Sequence, residues 1–137
     1  MGLTNDGTNV IASALIGDAG YTLYNNANAA LGVGDDNTAF AVSQTQLQAE
    51  ANATGAIRTE MNVSFPIRDP DNDGSDNLIR LQSTFGTAEA NFNWLEWGVF
   101  NDSATGSGQM LCRVVEDLGT KTNASKWVLE VDLTIST

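Results

Sequence analysis

The stretch with the most chemistry in it is Asp69-Pro70-Asp71-Asn72-Asp73-Gly74-Ser75. Carboxylates at relative positions 1, 3 and 5, with glycine at 6 for the sharp turn, match the opening of a calcium loop. The match breaks at position 12, where a bidentate glutamate is needed and Arg80 stands instead. The flanks alternate like strands, which excludes the helix–loop–helix of an EF-hand. Asp, Asn and Gly also build turns unaided. Asp69, Asp71 and Asp73 therefore read first as an acidic hairpin turn and second as candidate calcium ligands.

Other candidates are thinner. Asp35 and Asp36 are adjacent carboxylates, but they sit in a Gly/Asn turn, without the apolar pocket that raises a carboxyl pKa for acid–base work. Cys112 lies on an apolar strand beside Met110, Leu111 and Val114 and reads as a small core filler. The chain has no histidine, the commonest general base and metal ligand. Gly32-Val33-Gly34 lacks the third glycine and the following helix of a phosphate loop, and no Gly-x-Ser-x-Gly elbow occurs. Trp94, Trp97 and Trp127 suggest a sugar-stacking platform, but their strand neighbours are apolar, which favours a core or a subunit interface. No catalytic residue is assigned, no cofactor is expected beyond the calcium option, and the reading is non-enzymatic.

Composition sets the limits around these residues. The 137 residues amount to one domain, and six basic against seventeen acidic side chains leave a net charge of −11. Such a charge repels nucleic acid and anionic membranes alike, so neither is expected as a partner. A single cysteine forms no internal disulfide. The N-terminus shows no basic-then-apolar secretory pattern, and no apolar run reaches the ~20 residues of a membrane span.

The elements that must position these residues fall into two halves. Residues 1–54 read as irregular and helical, a part that packs on a neighbouring surface. Within them a helix is predicted over 8–16, capped by Thr8 and closed by Gly17. A short strand is predicted over Ala29 to Val33, and a one- or two-turn helix over 44–50 from the capping-box spacing of Ser43 and Gln46. Residues 55–137 read as an antiparallel β core. Ile57, Met61, Val63, Phe65 and Ile67 form one alternating row, with Arg58 and Glu60 on the other side. A hairpin pairing Ile67 with Ile79 and Phe65 with Leu81 continues it. The last strand places Trp127, Leu129, Val131, Leu133 and Ile135 inward. The fold class is mainly β, an antiparallel β-sandwich with one or two short N-terminal helices.

Residues 92–100 are apolar on both faces, with Phe92, Trp94, Gly98 and Phe100 on one and Leu95, Trp97 and Val99 on the other. One face belongs to the core. The other must be covered by the N-terminal half or by another subunit. Glu96 falls in the row of Trp94 and Phe100, where a lone carboxylate is costly. A register placing Glu96 opposite Arg113 and Trp97 opposite Cys112 supplies a structural ion pair.

Several segments resemble a group of small virion proteins of tailed bacteriophages. They are Leu3-Thr4 through Ala12 to Gly17, Leu31-Gly32-Val33-Gly34-Asp35, Thr38-Ala39-Phe40, Ser43-Gln44-Thr45, Thr84 to Phe92, Trp94 to Phe100, Leu118-Gly119-Thr120-Lys121-Thr122 and the Trp127 strand. The resemblance implies a non-enzymatic component of the particle, most like a capsid decoration (cement) protein. It also implies a trimer, binding to the major capsid protein or another virion protein, and a location in the virion after assembly in the host cytoplasm. A tail fibre or tail accessory protein with receptor or glycan binding is the alternative. No catalytic residue comes with it. The expected interface residues are Leu3, Val10, Ile11, Phe92, Trp94, Leu95, Trp97 and Phe100, and deleting residues 1–20 is expected to leave a folded β domain that no longer binds the shell.

Overall fold

The computed structural model describes residues 2–74 and 77–136. In chain order the elements are β1 (Gly2–Leu3), α1 (Asn5–Ile16), β2 (Ala30–Gly34), α2 (Gln48–Ala51), β3 (Ala56–Glu60), β4 (Ile67–Arg68), β5 (Leu78–Phe85), β6 (Asn93–Phe100), β7 (Met110–Thr120) and β8 (Trp127–Thr134). They form two antiparallel sheets, a five-stranded one in the order β1-β7-β6-β2-β3 and a three-stranded one in the order β4-β5-β8. The chain is mainly β, and the two sheets face each other across one apolar core, as in a sandwich.

That core follows from period-two alternation. Leu31, Val33, Val99 and Cys112 project from the larger sheet, and Leu81, Phe85, Leu129, Val131 and Leu133 from the smaller. Phe85, Trp94 and Trp127 meet edge to face, with ring centroids 4.9 and 5.0 Å apart, and Trp94 Nε1 donates to the Ala90 carbonyl. The inward row of β8 holds as far as Leu133. Ile135 lies past the strand and is exposed, correcting its place in that row.

Three local readings change. Helix α1 begins three residues early because Thr4, not Thr8, caps it. The Thr4 hydroxyl accepts the Gly7 N–H at 3.0 Å and donates to the Met110 carbonyl, whereas Thr8 directs its own hydroxyl to the Asn5 carbonyl. Gly17 closes the helix in the left-handed region at φ 67°, as its position predicts. Helix α2 starts at Gln48 rather than 44, and no local side chain caps it.

The long strand expected over 57–67 is two short ones in different sheets. Residues 61–66 carry the chain from β3 across to β4, and Ser64 takes a left-handed φ of 74° on the way. Val63 is consequently exposed. Ile67 pairs with Arg80 and Arg68 with Ile79, one residue away from the expected register, and Phe65 precedes the ladder. A slip of one reverses every side chain, so Ile67 shares the outer face with Arg80.

Candidate assembly surface

The outer face of the five-stranded sheet shows why β6 is apolar on both sides. Arg58, Gly32, Gly98 and Arg113 are cross-strand neighbours, one from each of β3, β2, β6 and β7. The two central glycines leave a hollow. A Cβ on either would lie 3.1 Å from the Leu47 side chain, and Leu47 with Phe100, Ala30 and Met110 makes a second apolar cluster there. Residues 35–54 of the same chain thus cover this face. Phe100 has no exposed surface, so it offers nothing to a second subunit.

Glu96 sits in the same layer, and its carboxylate is bound on both oxygens. Oε1 accepts the Ala49 N–H at 2.8 Å; Oε2 accepts the Gln48 N–H at 3.0 Å and Arg113 Nε at 2.5 Å. A carboxylate from β6 therefore satisfies the start of α2, where the expected Ser43 cap is absent. Gly34 makes this possible, since a Cβ there would lie 2.5 Å from Glu96 Oε1. The expected Glu96–Arg113 pair exists, with both side chains fully buried. The expected register does not. Glu96 is opposite Val115 and Arg113 opposite Gly98, so the two meet diagonally.

Arg58, expected on a solvated face, is also buried here. It makes a bidentate pair with Glu50 at 2.7 and 2.9 Å, donates to the Asp102 and Ser107 carbonyls, and stacks 3.6 Å over the Phe100 ring. Sequence periodicity had no signal for it. The one available cue was an acid, Glu50, eight positions upstream.

Trp94 leaves the row of Glu96. A register shift between Trp94 and Glu96 turns the strand, and Trp94 enters the main core with 2% of its surface exposed. Val10 is likewise buried within the chain. These placements remove Trp94, Phe100 and Val10 from the expected interface. Phe92, Leu95 and Trp97 are half-buried, and Trp97 Nε1 donates to Glu116. The tryptophans form no exposed sugar-stacking row among the described residues.

The acidic turn is real. Asp69, Asp71 and Asp73 each bring a carboxylate oxygen to within 4.8 Å of the others, and Ser75 lies outside the described residues. Asp69 Oδ1 and Oδ2 already accept the N–H groups of Asp73 and Gly74 at 3.2 Å. Arg80, at the position a calcium loop gives to glutamate, pairs with Asp132 and Glu130. Asp36 is also a turn acceptor. Hydrogen bonds from Thr38, and then from Asn52, hold its carboxyl below the usual range.

Residues 84–92 and 118–122 meet at Lys121. Its buried Nζ donates to the Gly86 carbonyl at 2.7 Å and to Asn91 Oδ1 at 2.8 Å, while its N–H bonds the Phe92 carbonyl. Comparison with protein-family models and with curated proteins found no match to this chain. No helix among the described residues is long and apolar enough to cross a membrane.

Apolar surface remains exposed around α1. Leu15 and Ile16 are each 81% exposed, and Leu3 and Ile11 about half as much. Leu3, Ile11, Leu23 and Ile135 line a groove of about 470 Å³ between α1 and the end of β8. Exposed apolar surface of this kind, in an otherwise acidic molecule, suits contact with another protein.

Proposed function

We propose that this chain is a non-enzymatic structural protein of a tailed-phage virion, one that decorates and stabilises the capsid as a homotrimer. The observation that carries the assembly reading is the exposed apolar face of α1, formed by Ile11, Leu15 and Ile16 beside Leu3. The phage particle as the setting rests on the resemblance of the segments from Leu3 to the Trp127 strand. The major capsid protein, or another virion protein, is then the partner. Closed symmetric oligomers are the usual outcome of such faces, and each subunit adds a modest contact that multivalency amplifies on a shell.

The second face of β6 was the first candidate for the subunit contact. Because residues 35–54 cover it, the contact moves to α1. Truncation is a poor test of this. The first residues roof the core: β1 pairs with β7, Thr4 ties to Met110, and Gly7 lies on the Leu111 backbone. The better variant is Leu15→Asp with Ile16→Asp, which changes solvent-facing side chains. Light scattering is expected to give the mass of three chains for the parent and of one for the variant. Occupancy on shells stripped of accessory proteins should fall at least tenfold. A variant that keeps both the mass and the occupancy would overturn the reading.

A further inference from the structure

Strand β8 is the edge of the three-stranded sheet. Among the described residues it pairs with β5 along all of Leu78 to Phe85 and with no other strand, so the outward half of its backbone N–H and C=O groups has no strand partner there. Edges of this length are commonly blunted by proline, a bulge or charged side chains. The eight residues Trp127–Thr134 contain no proline and keep an unbroken register with β5; their only charges, Glu130 and Asp132, are both acidic and select against an acidic partner rather than a basic one. The opposite edge of that sheet is only the two-residue β4. An unpaired strand edge has one natural ligand, another extended chain.

The side chains beside the edge specify that chain further. Neighbours across a ladder share a face, so an added strand places alternate residues beside Leu129, Val131 and Leu133 and the others beside Val128, Glu130, Asp132 and Thr134. On the inner side the apolar groove against α1 begins at Leu133 and Ile135. On the outer side Arg80 bridges Asp132 at 2.7 Å and Glu130 at 3.4 Å, leaving one of two carboxylate charges without a cation. A second copy fits badly. Antiparallel pairing of β8 with itself sets Glu130 and Asp132 against their own kind, between two molecules that each carry −11.

We propose that the free edge of β8 binds an extended segment of another protein in which apolar and basic residues alternate, by strand addition, with the apolar residues entering the groove beside α1. The groove shares Leu3 and Ile11 with the assembly face of α1, but the two tests differ: this one reads peptide binding and exchange at β8, and that of the capsid reading reads mass and shell occupancy.

The probe is a synthetic peptide as long as β8, alternating valine and lysine, set against a counterpart with every backbone nitrogen methylated. The counterpart keeps charge and side chains but cannot donate hydrogen bonds. Calorimetry on the intact protein is expected to show at least tenfold tighter binding of the unmodified peptide. Amide hydrogen exchange should slow at least tenfold at alternate residues of β8 and not along β7. Equal affinity for the two peptides would mean attraction of charge alone and overturns the proposal, as does no binding. Concentration-dependent protection of β8 without peptide would assign the edge to a second copy and overturns it too.

Discussion

Glu96 and Arg113 bond to each other at 2.5 Å although their backbones are not opposite one another: two residues of register separate them, and the side chains close the gap along the diagonal. The pair is fully buried and tied into α2 through the Gln48 and Ala49 N–H groups. It joins β6, β7 and the covering segment.

Removing one partner strands the other. Glu96→Gln is expected to cost about 3–5 kcal/mol in denaturant unfolding, because Arg113 keeps a buried charge with no carboxylate. Adding Arg113→Met to that variant should restore part of the loss, giving a favourable coupling in the double-mutant cycle. A cost below about 1 kcal/mol for Glu96→Gln would show that the pair contributes little.

Helix α1 lies on the backbone of β7 at Gly7, where a Cβ would fall 2.2 Å from the Leu111 carbonyl oxygen. Gly7→Ala therefore forces the helix away and should destabilise by about 1–3 kcal/mol or more, despite alanine's better helix propensity. Thr4→Ala removes the cap and should cost about 1–2 kcal/mol. Thr8→Ala, on the exposed side, should stay within about 0.5 kcal/mol. Thermal melts of the three variants give the order directly.

Burial pushes the Cys112 thiol up to about 12, and burial first, then the Cys112 and Asp6 charges, raises the Tyr24 hydroxyl in the same direction. Both groups hold their protons more tightly when folded. Their contribution is complete below the unfolded values, near pH 9 for a thiol, and is lost as pH rises through the folded ones. The melting temperature should accordingly fall from about pH 9 upward. At pH 8 a thiol reagent should label Cys112 at least a hundredfold more slowly in the native protein than in denaturant.

Calcium and chelator are expected to leave the melting temperature unchanged. Asp69 already serves the turn, and Arg80 occupies the place where the loop needs a bidentate acid. A rise of several degrees with millimolar calcium would reinstate Asp69, Asp71 and Asp73 as ligands.

Much of the fold was legible in particular residues. Alternation in Leu129, Val131 and Leu133 marks a half-buried strand wherever it occurs, and the helical spacing of α1 with Gly17 behind it needs no tertiary partner to be read. The Glu96–Arg113 pair was legible for a related reason. A carboxylate in an apolar row demands a cation on the same face, and an even error in register preserves the face.

Other features depended on what each face meets. Arg58, on the polar side of β3, lies inside with Glu50 because residues 35–54 fold over it, while Glu60 on the same side stays exposed. Gly32 falls in the strand predicted over Ala29 to Val33 and Gly34 just past it, with nothing local to show what either glycine makes room for; in the sheet they clear space for Leu47 and for the carboxylate that caps α2. Residues 61–66 alternate like a strand, yet they cross between sheets. Periodicity is a local property of the chain and assigns side chains to faces. Which surface covers a face is set by long-range packing and by where buried polar groups find partners, and only the tertiary structure decides that.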